Sequence, residues 1–185
     1  TCALPIYYVA RQFQEIGLED ASRPGKVKSS RPHQPYREEF KITVPIVHSA
    51  SMQLAGAEKI RLYPLWPNLV RTSQLPKGGV NLPLIYGGSG KLAEFKGKEV
   101  AGRAVLLDFA SGESWLDPVR LGAKAIIFIA PLETVEQNFR AEAENKILSI
   151  PADIPRFWIS QEAAAPVLAQ LQTQGNITAH LECDM

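Results

Sequence analysis

Two nearly unbroken apolar runs constrain this chain more than any other feature. They are GRAVLLDF (102–109) and AKAIIFIAP (123–131). A strand with one wet face alternates apolar and polar residues. A run that is apolar on both parities needs cover on both sides, so each reads as a strand buried on two faces. Between them, 114–122 reads as a short helix. Ser114 is placed to cap it, Pro118 falls in its first turns and Gly122 ends it.

The same logic extends to both sides. LPLIYGG (82–88) is a short buried strand ending at Gly87 and Gly88. IPRFWIS (154–160) is another, begun by Pro155, one of the few strand positions proline tolerates. Ser160 then caps a helix over 161–171 with Ala164, Val167, Leu168 and Leu171 on one face. Gly175 ends that unit, and ITAHLEC (177–183) alternates as a last strand. The segment 133–146 is polar and reads as a solvated loop or short helix. These elements predict an α+β domain: a mixed sheet with two short helices against it.

The first 80 residues carry weaker signals. Ile6, Val9, Phe13 and Ile16 recur at helical spacing, and Gly17 with Leu18 supplies a helix stop. Residues 20–35 are rich in Ser, Arg, Lys, Gly and Pro and read as linker. FKITVPIV (40–47) reads as an edge strand interrupted by Pro45, and 59–66 as a further strand. The prolines from Pro64 onward make 64–80 a loop. The resulting division is an N-terminal helix (1–19), a linker (20–39) and the α+β domain (40–185).

Charge excludes some functions. The formal net charge is +1, without the basic excess that nucleic-acid or polybasic membrane binding requires. No run of 18 apolar residues is present, the minimum for a spanning helix. The sequence opens at Thr1 with no charged segment leading into an apolar core, so the expectation is a processed or partial chain without a signal peptide. Spacing alone does not decide whether Cys2 and Cys183 pair.

His33, His48 and His180 are the only histidines, and none sits in HxD or HExxH spacing, so no native zinc site is expected here. GGSGK (87–91) is not a phosphate loop: Ile85 stands where the first glycine belongs, and Leu92 where Ser or Thr must follow Lys91. Nor is it a GxSxG elbow, because Lys91 occupies the last glycine's place. Asp108, Glu113 and Asp117 read as a solvated cluster rather than an acid–base pair. For Trp115, core packing outweighs contact with a ligand. Asn176-Ile177-Thr178 fits a glycosylation sequon, which matters only in a secretory eukaryotic setting.

The ordered set FKGKEVAGRAVLLDFASGESWLDPVRLGAKAIIFIAP (95–131), then IPRFWIS and a helix, resembles the protease-associated (PA) domain. The matching residues are Gly102-Arg103, Asp108, Gly122-Ala123-Lys124-Ala125 and Ile154-Pro155, and the resemblance is best over 82–172. FQEIGLE (13–19) followed by YREEFKI (36–42) resembles the opening of zinc aminopeptidases and glutamate carboxypeptidase-like exopeptidases, where a PA domain is inserted early.

This resemblance implies an open barrel or mixed sheet with flanking helices and no catalytic residue or cofactor in this chain. Zinc would belong to a downstream peptidase domain, the implied partner. The chain would act as a lid or as a module recognising peptide substrate or partner, in an extracellular, periplasmic or lumenal setting. The loops carrying Gly88, Ser89, Lys91, Glu113 and Trp115 would face substrate or partner. In carboxypeptidase-like relatives arginines reach the pocket from the strand-to-helix segment. ASGESWLDP (110–118) has none, so no preference for acidic substrates is inferred. The alternative is a stand-alone, receptor-type PA domain that binds proteins.

Overall fold

The computed structural model describes residues 3–20, 35–37, 46–65, 73, 75–131, 142–143, 146 and 152–185. The chain divides into two compact units, Thr1–Thr43 and Val44–Met185. In the first, helix α1 spans Ala3–Glu15. Gly17 at φ 74° ends it, and the Leu18 amide reaches back to the Phe13 carbonyl at 3.0 Å. This is the stop read from sequence: the left-handed position favours glycine. Tyr36 packs edge-on against Phe13 at 6.2 Å, and its hydroxyl donates to the Leu18 carbonyl. Ile6, Val9, Phe13 and Ile16 are all at least 40% exposed. The linker and the strand at 40–47 fall almost wholly outside the described residues.

The second unit is one eight-stranded mixed sheet. Its strands are β1 (Ser49–Leu54), β2 (Ile60–Arg61), β3 (Tyr63–Pro64), β4 (Val80–Tyr86), β5 (Ala104–Asp108), β6 (Ala125–Ile129), β7 (Arg156–Ile159) and β8 (Ile177–Asp184). Across the sheet the order is β2-β1-β8-β4-β5-β6-β7-β3. The ladders β4–β5, β5–β6 and β6–β7 are parallel, and the rest are antiparallel. Strands β2 and β3 sit at opposite ends of that order, yet only Leu62 separates them in the chain. The sheet therefore curls into a nearly closed barrel, with the Leu62 amide tied to the Ala50 carbonyl at 3.0 Å.

Both apolar runs behave as their composition requires. Ala104 and Leu106 of β5 join one core cluster, together with Met52, Leu84, Ile127, Phe157 and Leu181. Val105 and Leu107 join a second cluster on the opposite face, with Phe95, Trp115, Ile126 and Phe128. Helix α2 (Leu116–Arg120) and a 3-10 turn (Leu92–Phe95) contribute to this second cluster. Helix α3 (Gln161–Gln174) seals the first with Ala164, Val167 and Leu171. Ser160 caps α3 through the Ala163 amide at 3.2 Å, as its position predicts.

Three expectations are corrected, and one unread strand is added. Ser114 does not cap α2: Trp115 occupies that place without a side-chain bond. Successive backbone turns, Ser114 to Ser111, Leu116 to Glu113 and Asp117 to Ser114, already satisfy the amides there. The predicted strand over 59–66 is two two-residue strands at opposite sheet ends. Strand β1 was not anticipated, although Ala50, Met52 and Leu54 alternate and are buried. Lys146, read as solvated, is fully buried.

Cys183 is a free thiol in the first core cluster, where burial pushes its pKa from 9.0 up to about 11. Its native thiol is expected to resist alkylation at mildly alkaline pH and to react after denaturation, read by peptide mapping. The unfolded thiol ionises first, so the folded state binds more protons between these two values. Stability should therefore fall as pH rises from 9 to about 11, and fall less steeply in Cys183→Ala.

Candidate functional site

The carboxyl ends of β4 and β5 bring together the two loops singled out in the sequence. Past β4, Gly87 extends the ladder by donating to the Leu106 carbonyl, and the Asp108 amide donates to Gly88. The chain then turns at Gly90, φ 80°, and presses against the loop that follows β5. A Cβ on Gly90 would lie 2.9 Å from the Ser114 carbonyl oxygen, so only glycine permits this approach. Gly88 and Ser89 are half-buried, while Lys91 and Glu113 are exposed on this rim. Trp115 is different. Its side chain is fully buried, edge-on to Phe128 at 6.0 Å, so the ring is core and presents no surface to a ligand.

A third segment anchors the rim. The Glu142 carboxylate accepts from the Gly112 amide at 2.9 Å and from the Lys146 ammonium. Lys146 lies over the rings of Phe109 and Phe128, 4.9 and 5.2 Å from their centroids. Burial lowers the Lys146 pKa, opposed by the hydrogen bond and charge of Glu142. Beneath it the Arg156 guanidinium covers the Trp115 ring at 4.5 Å and donates to the carbonyls of Lys146 and Ala152. Two buried cations thus tie Glu142, Lys146 and Ala152 to Gly112, to the rings of Phe109 and Phe128, and to β7. Nothing in the sequence signalled Lys146. Arg156 left a faint trace, a charge inside an otherwise apolar strand.

Asp108, Glu113 and Asp117 do not act as a group. Asp117 pairs with Arg120 at 2.9 Å, and Asp108 accepts from the Tyr86 hydroxyl at 2.7 Å. The Tyr86 pKa is pushed up to about 12, first by burial, then by the bond to Asp108 and the negative charges of Asp108 and Glu94. In a spectrophotometric titration Tyr86, identified by its loss in Tyr86→Phe, should remain protonated well past pH 10. Asp108→Asn should lower its pKa, because the variant removes the charge that opposes ionisation.

Among the described residues no three His, Cys, Asp or Glu side chains are grouped to hold a metal. His180 is engaged by Asn81 at 2.8 Å and Glu182 at 3.3 Å, and His48 stands exposed. His33 lies outside the described residues. The described residues do not offer a ligand set that fits a zinc ion. No helix among the described residues is long and apolar enough to cross a membrane.

No family model matches the chain, and no curated protein matches its sequence. Solved structures do share its fold. An aminopeptidase from Aneurinibacillus sp. strain AM-1 is similar at 20% identity with a TM-score of 0.50, over 76% of this chain and 31% of that one. A zinc aminopeptidase from Bacillus subtilis is similar at 17% identity with a TM-score of 0.51, over 74% of this chain and 30% of that one. The chain thus spans about a third of the length of these proteins.

Proposed function

We propose that residues 40–185 form a non-catalytic PA domain of a zinc-dependent exopeptidase, acting as a lid and as a recognition module beside a separate catalytic domain. One observation carries this reading: about three quarters of this chain resembles aminopeptidases, one of them a zinc aminopeptidase, but only about 30% of their length is matched. The likeness is to a part of such proteins. The nearly closed barrel and the order of elements after residue 82 agree with the PA resemblance in the sequence.

In this reading the rim formed by Gly88, Ser89, Lys91 and Glu113 meets peptide substrate or the catalytic domain. Its geometry is held by the Gly90–Ser114 contact and by the Glu142–Lys146 anchor. The domain shapes access and selects substrate without breaking bonds. Zinc belongs to the catalytic partner, and the assembly works in an extracellular, periplasmic or lumenal compartment.

The purified 185-residue chain tests the non-catalytic part. Incubated with zinc and then desalted, it should retain no stoichiometric metal and should not hydrolyse aminoacyl p-nitroanilides. Bound zinc with turnover would overturn the reading. The lid role is tested in the parent protein lacking residues 40–185. Hydrolysis of small chromogenic substrates should survive while discrimination among longer peptides changes. Unchanged discrimination would refute the role.

A further inference from the structure

A groove of about 460 Å³ lies between the carboxyl-terminal half of α3 and the segment that leads into β5, beside the last residues of β4. That volume is in the range of small-ligand sites. Ile85, Leu168 and Leu171 give it apolar walls, and Lys98, Glu99 and Arg103 give it charge. Its two cations face one carboxylate, leaving an excess of one positive charge.

Arg103 is the informative residue. Its side chain is only 16% exposed, yet among the described residues it pairs with a single carboxylate, Glu99, at 2.8 Å. A guanidinium carries five N–H donors in a planar fork suited to carboxylates. The Arg103 Nε–H is buried and has no acceptor among the described residues. Glu99 is 74% exposed, so its pairing with Arg103 is weak and readily exchanged for another carboxylate. Lys98 spends one donor on the Tyr86 carbonyl at 2.9 Å, leaving two.

We propose that this groove binds an apolar carboxylate. The carboxylate exchanges with Glu99 on Arg103 and meets Lys98, while an aliphatic or aromatic group lies over Ile85, Leu168 and Leu171. Two sources share that chemistry: the C-terminus of a peptide ending in an apolar residue, and a free apolar carboxylic acid. This inference is independent of the peptidase reading.

The test is a titration of the isotope-labelled 185-residue chain, followed by amide NMR. N-acetyl-leucine at millimolar concentration should shift the amides of Lys98, Arg103, Leu168 and Leu171, and N-acetyl-leucinamide should not. 4-Methylpentanoate binding as well as N-acetyl-leucine would indicate a free acid, and weaker binding a peptide terminus. Arg103→Gln and Lys98→Gln should each weaken binding about tenfold, and Lys77→Gln should leave it unchanged. If Arg103→Gln fails to fold, Lys98→Gln carries the comparison. Absence of shifts overturns the proposal, as does equal binding of acid and amide. So does binding unaffected by Lys98→Gln and Arg103→Gln, in which case the two cations only offset the carbonyl end of α3, a helix with no basic residue in its last turn.

Discussion

Trp115→Ala is expected to destabilise the domain by about 3–5 kcal/mol in urea or thermal unfolding, the range for truncating a large buried aromatic. The indole has no exposed surface. It meets Phe128 edge-on and carries Arg156 on its face, so truncation opens a cavity and strips a buried cation of its aromatic cover. Trp115→Phe should cost much less. It keeps most of the packing and removes an indole N–H that is buried without an acceptor among the described residues. A mild effect of the alanine variant would mean the ring is not packed as described.

Arg156→Ala is expected to cost a similar amount, about 3–5 kcal/mol, by a different route. The guanidinium is fully buried and donates to the carbonyls of Lys146 and Ala152. Removing it leaves one buried and one part-buried carbonyl without these donors. Arg156→Lys should rescue little, because one ammonium cannot reproduce the fork or stack as a plane on Trp115. Because Trp115 and Arg156 touch, their double variant should be less destabilised than the sum of the singles. Strict additivity would argue against the stacking contact.

These two residues also show where sequence reasoning stops. Strands β4 to β8 and α3 were legible because local pattern fixes them. Two-sided apolar runs demand cover on both faces, Ser160 supplies a cap in place, and Gly122 and Gly175 take positive φ at the ends of their helices. Strand β1 was missed because only Ala50, Met52 and Leu54 mark its buried face, diluted by Ser51 and Gln53. The burial of Lys146 has no local signature at all. It depends on Glu142 one helical turn away and on Phe109 and Phe128 from two other segments. The loops at 87–91 and 111–115 were legible as neighbours of strand ends. Their mutual contact at Gly90 and the withdrawal of Trp115 into the core were set by tertiary packing.

The resemblance to PA domains and the likeness to solved aminopeptidase structures rest on different observations, one on ordered sequence motifs and the other on backbone geometry. Both support the accessory-domain reading proposed above. The most direct test is to read the parent transcript past the codon for Met185. The account predicts a following domain with an HxD pattern, a Glu-Glu pair and a later histidine, the ligand set of a zinc exopeptidase. A transmembrane segment or a further binding module in that place would contradict it, and would make this chain a recognition domain with no peptidase attached.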